Sequence, residues 1–113
     1  MSKFGLYSDK SAAIPFENHL EGIEEQTKTS LLNLRNFVKS LRDNIIEEVR
    51  PHRIVYAQSL TFRTFLDIQP RKDSLTISLR KSRSETTTDH TVKTVEDIEN
   101  VKLQIAEAYE KIK

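Results

Sequence analysis

The sequence predicts an α+β fold: a two-layer sandwich running helix, three- or four-stranded mainly antiparallel sheet, C-terminal helix. Three observations carry this. Apolar residues recur every three or four positions before residue 50, alternate or run together between residues 52 and 80, and return to the helical period after residue 96. A sheet covered on one face by both helices buries all three stretches at once.

Residues 1–16 hold no sustained period and include Gly5 and Pro15, which reads as a flexible N-terminal arm ahead of a single domain spanning 17–113. Phe4, Leu6, Tyr7, Ile14 and Phe16 are the arm residues able to pad against that domain. In the next stretch only Leu20 and Ile23 keep helical spacing, and Gly22 weakens a helix, so no more than a short helical turn is expected. The first long helix is expected from Thr29 to Val49. Leu31, Leu34, Val38, Leu41, Ile45 and Val49 align on one face, Phe37 and Ile46 widen it, and Arg35, Lys39, Arg42, Asp43 and Glu47 fall on the solvated side. Thr29 or Ser30 serves as N-cap and Pro51 as the stop.

Three strands are expected next, Arg53–Ala57, Phe62–Ile68 and Ser74–Arg80. The second places Phe62, Thr64, Leu66 and Ile68 on one face and Arg63, Phe65 and Asp67 on the other; the third sends Leu75, Ile77 and Leu79 inward and Thr76, Ser78 and Arg80 outward. Pro70 opens the turn between them. Lys81–His90 is polar and reads as a loop, with Thr91–Val95 as the candidate for a fourth strand. The last helix starts near Thr94 or Glu96, with Ile98, Val101, Ile105, Ala108, Tyr109 and Ile112 as its apolar stripe. Thr94 and Asp97 have the spacing of a capping box, and acids at Glu96, Asp97 and Glu99 face lysines Lys111 and Lys113 across the helix dipole.

Together these pieces resemble a small domain-of-unknown-function family, often labelled "predicted transport protein", whose members occur alone or at the C-terminus of restriction-nuclease-like and other DNA-directed proteins. The resemblance rests on Glu17–Gly22, the helix Leu31–Val49, Arg53–Ala57, Phe65–Pro70, Leu75–Leu79, Val95–Ile98 and Ala108–Glu110. These are mostly core positions, so the resemblance implies fold more than chemistry. Gln58–Thr61 stands where such proteins carry a lysine and a glycine-bearing turn, and Glu85–His90 replaces a glycine- and tryptophan-containing segment.

At 113 residues the chain is long enough to bury a core without metals or disulfides, and its lack of cysteine removes thiolate catalysis and cysteine-based metal sites. The cysteine usage fits a reducing compartment, no apolar run reaches membrane-spanning length, and the first residues lack the apolar segment of a signal peptide. A cytoplasmic protein without membrane contact is the expectation. Catalysis finds no convergent groups. His19, His52 and His90 are in no metal-ligand spacing; Glu24/Glu25 and Glu47/Glu48 are sequence neighbours that diverge on a helix; two glycines make no phosphate loop; and Asp67 is the lone acid on an expected strand. No enzyme activity, metal or cofactor is expected.

Charge is the informative feature. The net charge is only +1, yet residues 50–83 carry eight basic residues against two acids, while residues 84–113 are net acidic. The candidate nucleic-acid contacts are Arg53, Arg63, Arg71, Lys72, Arg80, Lys81 and Arg83, with Tyr56, Phe62 or Phe65 as stacking surfaces wherever they are exposed. The plainer account is that strand ends and turns need solubilising charges. An accessory module binding DNA, RNA or a nucleic-acid enzyme is the leading reading. The alternative is a protein-interaction or homodimerisation module using a sheet edge, or a sheet face on which Phe65 and Val55 sit among polar neighbours.

Overall fold

The computed structural model describes residues 14–59, 63–81 and 87–112. A 3-10 segment, Phe16–Leu20, leads into helix α1 (Glu25–Leu41). Five strands follow: β1 (Ile45–Val49), β2 (Ile54–Gln58), β3 (Thr64–Pro70), β4 (Leu75–Leu79) and β5 (Thr88–Val92). Helix α2 (Val95–Lys111) completes the order. Each strand pairs antiparallel with the next, so the sheet is a meander in the order β1-β2-β3-β4-β5. The fold is α+β, with five strands where three or four are expected.

The additional strands come from two places. β1 occupies the end of the stretch that reads as helix: α1 stops at Leu41, Arg42 is extended, and Asp43 and Asn44 form a turn. Ile45 through Val49 then pair with β2, from Ile45↔Gln58 to Val49↔Ile54. A spacing of four, as between Ile45 and Val49, keeps two side chains on one face in either a helix or a strand, so periodicity alone is ambiguous there. The β-branched cluster Ile45, Ile46 and Val49, after the turn formers Asp43 and Asn44, favours the strand. β5 starts three residues before the Thr91–Val95 candidate, inside the stretch read as loop.

Helix α1 begins at Glu25, four residues earlier than predicted. Its N-cap Glu24 makes no side-chain cap bond; instead the Glu24 N–H donates to the Lys72 carbonyl at 2.8 Å, strapping the helix start to the β3–β4 turn. Thr29 and Ser30 therefore lie inside the helix, where their hydroxyls donate to the carbonyls of Glu25 (3.1 Å) and Gln26 (3.0 Å). At α2 the predicted capping box is present: the Asp97 N–H donates to Thr94 Oγ1 at 3.1 Å, and the Thr94 N–H donates to Asp97 Oδ2 at 3.2 Å.

Register sets the two faces of the sheet. The rows Ile54–Ile68–Ile77 and Tyr56–Leu66–Leu79 turn toward the helices and join Leu31, Leu34 and Val38 of α1 and Ile98, Ile105 and Ala108 of α2 in one buried cluster. Phe16, the last residue of the expected arm, belongs to that cluster. A bulge breaks the β2–β3 register: Tyr56 pairs with Leu66 but Ala57 pairs with Thr64, leaving Phe65 as the extra residue. The inserted residue reverses the alternation. Phe65 is therefore fully buried, edge-on to Tyr109 at 5.4 Å between ring centroids, and not on the outer face where strict alternation places it. No helix among the described residues is long and apolar enough to cross a membrane.

Candidate functional site

The outer sheet face, away from the helices, is built from alternate positions. One row crosses it as Glu48–Val55–Asp67–Ser78–Asp89, each residue the register partner of the next. Val55 is the buried apolar member; the others are polar or charged. Arg53 precedes Ile54 and so shares the face of Val55. Its Nη1 donates to Asp67 Oδ2 at 2.8 Å. Ser78 Oγ donates to Asp89 Oδ1 at 2.8 Å.

A groove of about 600 Å³ opens where β3 begins and β4 ends, beside the bulge. Arg53, Arg63 and Arg80 line it together with Asp67, the polar residues Thr64, Ser78 and Thr87, and the core residues Phe65, Leu66 and Ile112. The Arg80 N–H donates to the Phe65 carbonyl at 3.0 Å, which anchors the Arg80 backbone to the bulge and leaves its guanidinium exposed. Three arginines separated by up to 27 positions of sequence thus line one groove, Arg63 and Arg80 at the strand ends beside it and Arg53 from the start of β2, whose neighbour Ile54 pairs with Ile68 toward the other end of β3. Together they supply planar donor forks suited to an oxyanion.

The other predicted contacts do not join them. Arg71 and Lys72 sit in the β3–β4 turn at the opposite end of the strands; Arg71 Nη2 donates to Gln69 Oε1 at 3.4 Å, and the Lys72 backbone holds the start of α1. Lys81 pairs with Glu107 of α2 at 2.9 Å. Arg83 lies outside the described residues, as does Phe62. Tyr56 and Phe65 are fully buried and offer no stacking surface.

A second polar cluster was not anticipated. Reading residues 29–49 as one helix puts Arg35 and Glu47 on its solvated side, whereas the β1 register places Glu47 opposite Tyr56, facing the helices. Arg35 donates to Glu47 through Nε (2.8 Å) and Nη2 (2.9 Å), Tyr56 Oη donates at 2.6 Å, and Lys39 Nζ stands 3.7 Å away. The Arg35 guanidinium also lies 4.1 Å from the centre of the Phe16 ring. Burial pushes the Glu47 carboxyl up, but the bonds from Arg35 and Tyr56 outweigh it and hold the group below the ordinary carboxylate range. Burial, reinforced by the carboxylate, pushes the Tyr56 phenol well above its ordinary value. These groups satisfy one another between α1, β1 and β2, which makes the cluster a strut between layers. The missing signal was the strand identity of 45–49, without which Glu47 cannot be placed inward.

His19 serves the scaffold, its Nε2 donating to the Arg50 carbonyl at 2.7 Å. Among the described residues no three histidine, aspartate or glutamate side chains come together as a metal-holding group. No family model matches the chain, and no curated protein and no solved structure matches it.

Proposed function

We propose that the chain is a non-catalytic accessory binding module that contacts nucleic acid, or a nucleic-acid enzyme, through the basic rim of its sheet. The observation that carries this reading is the meeting of Arg53, Arg63 and Arg80 at one groove. The positive balance of residues 50–83 supports it, since a local basic field attracts polyanions despite a small net charge. The resemblance to domains found beside restriction-nuclease-like proteins points the same way. Binding of a labelled oligonucleotide, followed by fluorescence anisotropy over a salt series, is the test. Affinity that falls as salt rises is expected; no binding at low salt removes the reading.

One observation favours the alternative of self-association. β5 is a sheet edge carrying a single formal charge, Asp89, with no proline, lysine or bulge in its five residues. Such an edge lacks the usual guards against pairing with a second strand. Sedimentation equilibrium over a range of concentrations tests it: a dimer supports the edge, and a strict monomer at high concentration removes it.

A further inference from the structure

We infer that the groove at the β3 start and β4 end grips one compact phosphate-bearing group, the phosphorylated end of a strand or a free nucleotide, and not a run of polymer backbone; this rests on the nucleic-acid reading above. Three features of the molecule point there. The first is convergence without continuity. Arg63 and Arg80 flank the groove where β3 begins and β4 ends, and Arg53, whose backbone lies beside the end of β3, reaches it only through a side chain tied to Asp67; Arg71 and Lys72 follow the far end of β3, a seven-residue strand of about 23 Å at roughly 3.3 Å per residue. Lys81 is turned to Glu107 on the helix layer. Among the described residues, Arg53 and Lys81 are thus committed to carboxylates, and the length of β3 separates Arg63 and Arg80 from Arg71 and Lys72.

The second feature is the row beside the groove. Carboxylates occupy three of its five positions, Glu48, Asp67 and Asp89, and cross the outer face from one edge strand to the other. A polyanion laid across the sheet would pass over all three, whereas a terminal group seated by Arg63 and Arg80 meets only Asp67, which Arg53 already holds at 2.8 Å. The third is size and lining. A volume near 600 Å³ is that of a site for a small molecule, and Thr64 and Thr87 add hydroxyl-bearing residues to its lining beside the arginines, while the Ser78 hydroxyl already donates to Asp89. A phosphomonoester carries nearly two charges and three acceptor oxygens, so it gains more from such a cup than a singly charged diester does.

The test uses the full chain and a labelled DNA strand with and without a 5′-phosphate, with a nucleoside 5′-monophosphate as competitor. The phosphorylated strand is expected to bind about tenfold or more tightly than the unphosphorylated one, the worth of one additional charge-assisted contact. With at most three arginines engaged, log affinity should fall against log salt with a slope no steeper than about −3. Arg80→Ala, at an exposed position, should erase the preference for the phosphorylated end, and Lys72→Ala should preserve it. Competition by the mononucleotide as strong as that of the phosphorylated strand supports the inference while overturning the nucleic-acid reading. Equal binding of both strands, with affinity and salt slope growing with strand length, overturns the inference and leaves that reading standing. Failure of every probe to bind overturns both.

Discussion

Glu47 shows what a single residue contributes when its strand is buried on one side. It accepts from Arg35 twice and from Tyr56 once, and its side chain is only 12% exposed, against 58% for its neighbour Glu48. Removing one partner of such a cluster strands the others away from water, so Glu47→Ala is expected to destabilise the fold by about 3 kcal/mol in urea unfolding. Glu48→Ala, which loses only a surface pair with Arg50, should stay within about 1 kcal/mol. The same bonds set a pH dependence. Because the folded Glu47 holds its proton less tightly than in the unfolded chain, its contribution is complete above the ordinary carboxylate pKa near 4.3 and is lost as pH falls through the lower folded value. Tyr56 has the opposite sign: its raised pKa makes a contribution that is present below about pH 10 and declines at higher pH. Acid unfolding followed by circular dichroism should therefore begin below about pH 4.3, with a shallower pH slope in Glu47→Gln.

At the scale of elements, the decisive feature is the bulge between β2 and β3. It takes Phe65 off the outer face and sets it edge-on to Tyr109, and Tyr109 in turn donates from Oη to Asn44 Oδ1 at 2.6 Å in the α1–β1 turn. The Gln58 amide donates to the Tyr109 carbonyl close by, so the end of α2 is fixed to β2 and β3 together. Phe65→Ala should cost about 3–5 kcal/mol in thermal or urea unfolding, the range for a fully buried aromatic. An outward Phe65 among polar neighbours predicts a change near zero, so the measurement separates the two placements. The bulge also reduces the self-association alternative to its edge-strand form, because of Phe65 and Val55 only Val55 lies on the outer face, and it is itself largely buried.

Across the whole molecule the charge is arranged by the meander. Antiparallel pairing brings the beginning of β3 beside the end of β4, which is why Arg63 and Arg80 become neighbours, and it sends the β3–β4 turn with Arg71 and Lys72 to the other end. An NMR titration with nucleoside 5′-monophosphate should therefore shift amides of residues 63–67 and 78–80 and leave those of residues 71–73 unchanged. Shifts centred on the turn would show that the binding surface lies at the opposite end of the sheet.

The local pattern was enough for much of this architecture. Clean alternation over Leu75–Leu79, the helical stripes of both helices and the Thr94–Asp97 capping box are short-range properties, each decided by residues within a turn or a strand of one another. The basic stretch was equally plain, and three of its seven candidates meet at the groove. What the tertiary structure decided were the cases in which local physics allows two answers. Residues 45–49 satisfy either period and become a strand because β2 is there to pair with them. Phe65 turns inward because a register shift, invisible in any single strand, inserts it. Arg63 and Arg80 become neighbours, and Arg71 and Lys72 go to the other end of the sheet, because strand order is a long-range property: it fixes which ends meet, and no short window of sequence contains both ends.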